Sequence, residues 1–299
     1  MSAQLDTPAF LEFAAHLRSD INRELLRWSQ FDDDCPALLR EAIQYSLLAP
    51  GKRLRPALVL FAAEACGSDY ETAFPAACAI EMVHSYSLIH DDLPAMDDDD
   101  LRRGQPTCHI KFGEATAVLA GDALLTRAFE VLVLGIKSAE IAAKCCAELA
   151  SAAGASGMVG GQADDLDAEA NGGDLEQLQR IHRRKTGALL RTSLRLGGMV
   201  SRAAEEQLVA LDKYGQALGL AFQIVDDLLD VEGNEKSLGK RTGKDVGRGK
   251  ITFPGLLGID ASRLRAKELI EDACQALSPL GAAAGHLETL ARYVLERDH

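Results

Sequence analysis

The 299-residue chain lacks the features of an exported or membrane-spanning protein. No uncharged apolar run approaches the roughly 20 residues that a membrane span requires. The N-terminus carries Asp6 and Glu12 and lacks the basic-then-apolar layout of a signal peptide. The seven cysteines are an odd number without a CxxC pair, so we predict neither a zinc site nor a disulfide framework. These absences predict a protein of the reducing cytoplasm.

Basic charge is also scarce. The chain has 32 lysines and arginines against 45 aspartates and glutamates, a formal net charge of -13 at pH 7. Nucleic acid and anionic membranes would repel such a chain, so we expect neither as a partner. Hydrophobic residues make up 47% of the sequence and charged residues 26%, which is typical of a globular protein with a sizeable core.

Strand alternation is absent, and helical patterns are frequent. Apolar residues recur every three or four positions at 13–28 and 175–181, and the alanine-rich stretch 139–153 strongly prefers helix. Asp174 follows a glycine pair and is typical of a helix N-cap. Nine prolines interrupt the chain, and no linker or repeat divides it. We therefore predict one all-α domain over residues 1–299, a helical bundle around a central cavity.

Two aspartate clusters lie far apart in the sequence. The first is DDLPAMDDDD at 91–100 and the second is DDLLD at 226–230, and apolar sequence precedes both. Carboxylates packed this densely repel one another unless a cation lies among them. In the second cluster Asp230 lies one helical turn from both Asp226 and Asp227, so all three share a face. Oxygen ligands favour a hard ion such as Mg²⁺, completed by water and phosphate.

In the first cluster, the carboxylates can share a cation only if the helix ends within the cluster. Asp91 and Asp97 are six residues apart, a spacing that points them away from each other on an ideal helix. Pro94 ends the helix between them, so Asp97 can return to the side of Asp91. For Asp98–Asp100 alone, a solvated acidic run is the favoured interpretation.

The chain carries a series of short motifs in a fixed order. They are GKRLRP at 51–56, the acid cluster at 91–100 with two inserted residues, RRG at 102–104, GGQ at 160–162, KTG at 185–187, FQ at 222–223, and GK at 239–240 with Lys250 beyond. In order and spacing, this series resembles the short-chain trans-prenyl diphosphate synthases, and among them the bacterial farnesyl diphosphate synthases. The resemblance implies an all-helical homodimer that joins an allylic diphosphate to isopentenyl diphosphate, with three Mg²⁺ ions or possibly Mn²⁺.

The resemblance also implies a role for each motif. The metal ligands would be Asp91, Asp97 and Asp226, with Asp92, Asp227 and Asp230 orienting ligands or metal-bound water. The allylic diphosphate would be bound by Arg102, Lys185, Thr186, Gln223, Lys240 and Lys250. Isopentenyl diphosphate would be bound without metal by Lys52, Arg55, His84 and Arg103. Charge on the leaving diphosphate would be stabilised chiefly by Lys185, Lys240 and Arg102 with the metals at Asp91 and Asp226. The double bond of isopentenyl diphosphate would then attack the allylic cation.

Several of these residues have a simpler interpretation. Lys52, Arg53 and Arg55 read equally well as solvated charges at a helix start. Lys185 could extend the basic face formed by HRR at 182–184, and the glycine-rich stretch 239–250 could be an ordinary loop rather than a mobile lid. His84 lies seven residues, two helical turns, before the first cluster, which favours a site role.

Product length depends on the floor of the cavity. Tyr86 lies five residues before Asp91, roughly 7.5 Å along a helix. The resemblance implies that an aromatic residue there ends chain growth at the fifteen-carbon product. Ser87 is small and should not block the growing product chain. We therefore expect farnesyl diphosphate, with geranyl diphosphate as an intermediate.

The sequence departs from the family pattern at two positions, and three alternatives are kept. Pro50 stands where the family commonly has glycine, and only Arg297 could act as a basic C-terminal residue. A geranyl or geranylgeranyl synthase would share every motif. A class I terpene cyclase would more often have an Asn/Ser/Glu motif at 226–230 and more aromatics than 5%. A non-catalytic partner subunit would have lost acidic or basic site residues.

Overall fold

The computed structural model describes residues 7–232 and 251–296. Within these ranges the regular structure is almost entirely helical. The only strands there are β1 (Leu101–Arg102) and β2 (Gln105–Pro106), which pair antiparallel in a short hairpin. The prediction of an all-α fold is confirmed.

Most helices in the described ranges follow one another with short connections. In chain order they are α1 (Thr7–Trp28), α2 (Ala37–Leu47), α3 (Leu54–Ala65), α4 (Tyr70–Asp91), α5 (Cys108–Phe112), α6 (Glu114–Gly135), α7 (Ala139–Ala153), α8 (Met158–Asn171), α9 (Leu175–His182), α10 (Ala188–Val200), α11 (Glu205–Glu232), α12 (Phe253–Leu257), α13 (Ile259–Ala276) and α14 (Gly285–Glu296). A π-helical turn (Arg183–Gly187) joins α9 to α10, and a 3₁₀ helix (Ser278–Ala284) precedes α14. None of the described helices combines the length with the apolar character needed to cross a membrane.

Helix α4 lies at the centre of the bundle. It packs against α3, α6 and α10, with further contacts to α1 and α2. Its apolar middle, from Ala76 to Val83, is buried on all sides, as expected for a helix without a polar face. Asp69 caps its start by accepting a hydrogen bond from the Thr72 amide at 3.0 Å. The first aspartate cluster therefore begins at the end of the most enclosed helix.

Local sequence signals are confirmed where they were strongest. Leu17, Ile21 and Leu25 form the buried stripe of α1. Helix α7 has the bounds of the alanine-rich stretch. The side chain of Asp174 accepts the amide hydrogen of Gln177 at 2.9 Å, so it is the N-cap of α9. These features depend on neighbours along the chain, which is why sequence alone identified them.

Helix α10 joins the two parts of the bundle that carry the aspartate clusters. It packs against α3 and α4 on one side and against α11 on the other. The approach to α3 is close at Gly197, where a Cβ would overlap the carbonyl oxygen of Val59. A glycine is required there because backbone atoms of α3 cannot move aside as a side chain can.

Replacing Gly197 with alanine should therefore destabilise the fold by roughly 1–3 kcal/mol, because α10 must shift away from α3. Gly285, at the start of α14, is the matched control, since a Cβ there would meet open space. Gly285→Ala should stabilise by about 0.5–1 kcal/mol. Urea unfolding of both variants measures the difference, and an unchanged midpoint for Gly197→Ala would contradict the packing argument.

Candidate active site

The first aspartate cluster folds back on itself after α4 ends. The amide of Asp97 donates a hydrogen bond to the carbonyl oxygen of Asp91 at 2.8 Å, and the amide of Asp99 donates to that of Asp92 at 3.2 Å. Asp97 thus returns to the end of α4, as its spacing from Asp91 and the intervening proline predicted. In the run predicted to be solvated, Asp98 and Asp100 are exposed, whereas Asp99 is half-buried.

The charge on Asp91 is unfavourable in the protein alone. Burial, reinforced by the carboxylates of Asp97 and Asp92, raises its pKa to about 6, against the opposing attraction of Lys185 and Arg102. A carboxyl group with such a pKa is ionised at neutral pH at a cost in stability. A divalent cation would relieve that repulsion, so the donor set fits Mg²⁺.

Asp92 has an internal cation as its partner. Arg102, from the hairpin, donates from Nε to both carboxylate oxygens at 2.9 Å and from Nη2 to Oδ1 at 2.6 Å. Burial lowers the pKa of Arg102, but these bonds to Asp92 outweigh burial and raise it. Asp92 is 3% exposed, so it supports the position of Arg102 beside the cluster.

Lys185 lies in the π-helical turn between α9 and α10. Helix α8 approaches this turn closely, and a Cβ on Gly161 would overlap the backbone of Lys185. Lys185 Nζ donates to Oδ2 of Asp165 on α8 at 2.6 Å. Single π-helical turns inside α-helices occur frequently at functional sites, because they rotate the following side chains relative to the preceding ones. Here the turn contains Lys185 and Thr186, the predicted ligands of the allylic diphosphate.

The second aspartate cluster lies near the C-terminal end of α11. Gln223 Nε2 is 3.5 Å from Oδ2 of Asp226. The amide of Phe253, at the start of α12, donates to Oδ2 of Asp227 at 2.9 Å. Asp227 therefore connects α11 to the chain that follows residue 250. Asp226 and Asp230 lie with it in the last two turns of α11.

The two clusters do not form a complete metal site from side chains alone. In the described ranges, no three acidic, histidine or cysteine side chains are grouped closely enough to hold a metal. This arrangement fits Mg²⁺, which takes one or two carboxylates and completes its shell with water and phosphate oxygens.

The four residues predicted to bind isopentenyl diphosphate all line one cavity of 680 Å³. They are Lys52, Arg55, His84 and Arg103. Phe222 of α11, apolar side chains of α1 and α14, and the charged residues Arg18, Arg53 and Glu81 also line it. The structure thus brings together residues from α4, the hairpin and the start of α3.

The arginines at one end of this cavity affect its other polar groups. Burial and the neighbouring arginines, chiefly Arg55 and Arg103, lower the pKa of His84 well below 6.5, so His84 is neutral at neutral pH. Nε of Arg55 is buried, and no hydrogen-bond acceptor within the described chain reaches it. An unpaired buried donor among cations is suited to an anionic ligand.

The backbone at Pro50 and Gly51 contacts the guanidinium group of Arg103. Arg103 Nη1 donates to the carbonyl oxygen of Pro50 at 2.5 Å. A Cβ on the adjacent Gly51 would overlap this guanidinium group. Pro50 and Gly51 therefore hold Arg103 against the start of α3, beside Lys52.

Tyr86 and Ser87 lie on α4 ahead of the first cluster. Tyr86 is 7% exposed, and its ring packs edge-on against His90 with the centroids 5.8 Å apart. Ser87 Oγ donates to the carbonyl oxygen of His84 at 2.8 Å. His90, which had no predicted role, packs against α6 at Gly121. Tyr86 is a core aromatic, which is compatible with a role as the floor.

Three residues with predicted roles, Lys240, Lys250 and Arg297, lie outside the described residues, as does the glycine-rich stretch 239–250.

Comparison with known proteins gives consistent results. A family model described as polyprenyl synthetase matches residues 36–280. The chain belongs to the polyprenyl synthetase family. It is 51% identical over 265 residues to a farnesyl diphosphate synthase of Escherichia coli, covering 86% of this chain and 89% of that protein. It is 48% identical over 269 residues to a chloroplastic geranylgeranyl pyrophosphate synthase of Catharanthus roseus, covering 88% and 75%. The crystal structure of an FPP/GFPP synthase from Zymomonas mobilis matches with a TM-score of 0.87 at 38% identity, covering 97% and 100%.

Sequence reasoning missed two acidic residues of this polyprenyl synthetase site. Asp165, the partner of Lys185, lies one helical turn after Gly161, so the GGQ motif could have identified it. Glu81 lies one turn before His84 on α4 and is 4% exposed among arginines. A buried glutamate inside an otherwise apolar run was the available signal for it.

The pKa of Asp91 gives a testable dependence on pH. Because this pKa is raised from 3.8 to about 6 by folding, protonated Asp91 favours the folded state below pH 4, and that stability is lost as the pH rises through 6. In chelator, Asp91→Asn should therefore raise the free energy of unfolding by roughly 3 kcal/mol at pH 8 and change it little at pH 4. Thermal unfolding of the variant and the unmodified protein at pH 8 and at pH 4 measures these differences.

The exposed carboxylate of Asp122 on α6 is the control for this measurement. Asp122→Asn should change stability little at either pH. With Mg²⁺ and inorganic diphosphate, the unmodified protein should gain stability that Asp91→Asn does not. An Asp91→Asn variant that is less stable than the unmodified protein at pH 8 in chelator would contradict the assigned repulsion.

Proposed function

We propose that this polyprenyl synthetase condenses dimethylallyl and then geranyl diphosphate with isopentenyl diphosphate to give (2E,6E)-farnesyl diphosphate. The observation that carries the proposal is the set of four residues, Lys52, Arg55, His84 and Arg103, around one cavity. The charge of Asp226 acts on Arg55 of this set, so the second cluster lies near the basic end. The high identity to farnesyl diphosphate synthases supports the same reaction.

The proposed reaction uses two diphosphate sites of different chemistry. In this proposal the Mg²⁺ ligands would be Asp91, Asp97 and Asp226, with three ions present when substrate is bound. The ligands and metal-bound water would be oriented by Asp92, Asp227 and Asp230. When bound, these ions neutralise charge on the leaving allylic diphosphate. We propose that isopentenyl diphosphate binds to side chains alone, because Lys52, Arg55 and Arg103 already place three cations around one cavity.

Ionisation of the allylic substrate depends on cations that are already in position. Arg102 and Lys185 are fixed by Asp92 and Asp165, so they need little reorganisation as charge develops on the diphosphate. Thr186, Gln223, Lys240 and Lys250 complete the allylic site in this proposal. The double bond of isopentenyl diphosphate attacks the allylic cation, and the departed diphosphate takes the final proton.

A longer product is the second candidate. The identity to a geranylgeranyl pyrophosphate synthase is nearly as high as to the farnesyl enzymes, so family membership does not select the product. We propose the fifteen-carbon product because Tyr86 is buried on α4 five residues before Asp91, where a large ring would limit the length of a growing chain.

We also propose that residues 1–299 act as one domain in a cytoplasmic homodimer. The support for the dimer is an apolar exposed face along α6. Val118, Leu119, Val133 and Leu134 are each at least 40% exposed there. Such a face is typical of a helix that packs against a second subunit.

The proposed reaction is tested by incubating the protein with isopentenyl diphosphate, Mg²⁺ and either dimethylallyl or geranyl diphosphate. We expect mainly fifteen-carbon product, abolished by chelator. Asp91→Asn and Asp226→Asn should each lower kcat by roughly 10²-fold or more, because leaving-group charge is no longer neutralised. Asp100→Asn, which alters an exposed acid of the same run, is the control and should retain activity. No condensation by the unmodified protein would favour a terpene cyclase or a non-catalytic subunit.

Replacing Tyr86 with alanine should open the floor and lengthen the product to twenty carbons or more, because the buried ring no longer blocks the chain. Ser87→Ala removes only a hydroxyl group next to it and should leave the product unchanged. Chromatography of the dephosphorylated products reads the chain length. Farnesol as the sole product of Tyr86→Ala would remove Tyr86 from this role.

A further inference from the structure

One cation of the 51–56 motif, Arg53, has no assigned role in binding either diphosphate. Arg53 is 4% exposed and has a left-handed backbone with φ of 52°. This conformation is unfavourable for a residue with a Cβ. It turns the side chain of Arg53 into the protein interior, between the two cavity residues Lys52 and Arg55.

All three nitrogens of the Arg53 guanidinium group are used inside the protein. Nη1 donates to Oε1 of Glu81, Nε donates to Oδ1 of Asn22, and Nη2 donates to the carbonyl oxygen of Ala49, each at 2.8 Å. The side chains of Arg53 and Glu81 are 3% and 5% exposed. A buried ion pair adds little net stability, because both charges lose their hydration. An unfavourable backbone together with a desolvated pair therefore suggests a role other than stability.

Glu81 places negative charge within the basic end of the cavity. It lies on α4 one turn before His84, and it lines the 680 Å³ cavity together with Arg53 and Arg55. Burial lowers the pKa of both Arg55 and Arg103, and the carboxylate of Glu81 opposes that shift in each. Glu81 thus acts on cations from the start of α3 and from the hairpin at once.

We propose that Arg53 and Glu81 are positioning residues for isopentenyl diphosphate: their buried pair orients Lys52 and Arg55 toward the cavity before substrate binds. The inference rests on the proposed function. Arg53 is adjacent to Lys52 and two residues before Arg55, so fixing Arg53 to α1 and α4 fixes the directions in which both neighbours leave the backbone. Preorganised cations bind a diphosphate without the loss of side-chain freedom that mobile ones suffer.

The test uses Arg53→Met, Glu81→Met and the double variant. Each single variant buries an unpaired charge and should lower Tm, whereas the double variant removes both charges and should recover most of it. If the pair positions Lys52 and Arg55, the double variant should still raise KM for isopentenyl diphosphate by about tenfold or more and change KM for geranyl diphosphate by less than about twofold. The dissociation constant for isopentenyl diphosphate in chelator, measured by calorimetry, should rise in parallel.

Two further variants complete the test. Arg53→Lys keeps the charge but cannot form the same three bonds, so it should raise KM for isopentenyl diphosphate even if the double variant fails to fold. The matched control pair is Arg195 and Glu148, which join α10 to α7 at 2.6 Å away from the cavity. Its double methionine variant should leave both KM values unchanged.

The inference is overturned if the Arg53/Glu81 double variant, or Arg53→Lys, keeps the KM and dissociation constant of the unmodified protein, since the pair would then be structural only. It is also overturned if both KM values rise equally. Lack of condensation by the unmodified protein would instead contradict the proposed function.

Discussion

Buried charge of both signs, crowded at the ends of helices, is the constraint on which the structure depends. Asp91 and Asp97 meet where α4 ends, and burial, reinforced by the carboxylate of Asp97, raises the pKa of Asp91 to about 6. At the cavity, burial together with the charges of Arg55 and Arg103 lowers the pKa of His84 and so suppresses its protonation. Neither group of charges is at its lowest free energy without a counterion, so the protein is prepared to bind a cation at one site and an anion at the other.

Close backbone packing keeps these charges in place. Gly161 lets α8 approach the π-helical turn that carries Lys185, and Gly51 leaves room for the guanidinium group of Arg103. Gly197 brings α10 against α3, whose first turn carries Arg55. Because interiors are close-packed, each of these approaches transmits the position of a helix to a charged side chain. The glycines of the sequence motifs are explained by this packing as well as by loop flexibility.

The sequence predicted features that depend on local spacing. The helical class, the N-cap at Asp174 and the return of Asp97 to Asp91 follow from periodicity, capping chemistry and a proline break. It could not predict pairs made across the fold. Arg53 could be read from sequence as a solvated charge, and this is wrong because its partner Glu81 lies on another helix and buries it. The π-helical turn at Lys185 was also missed, since packing against α8 and not local sequence accounts for it.

The central claim is that one diphosphate site requires metal and the other does not. Calorimetric titration of the protein with isopentenyl diphosphate and with a non-reactive analogue of geranyl diphosphate, each in Mg²⁺ and in chelator, tests it most directly. The account predicts that chelator abolishes binding of the geranyl analogue and leaves the dissociation constant for isopentenyl diphosphate nearly unchanged. Equal dependence of both ligands on Mg²⁺ would contradict it.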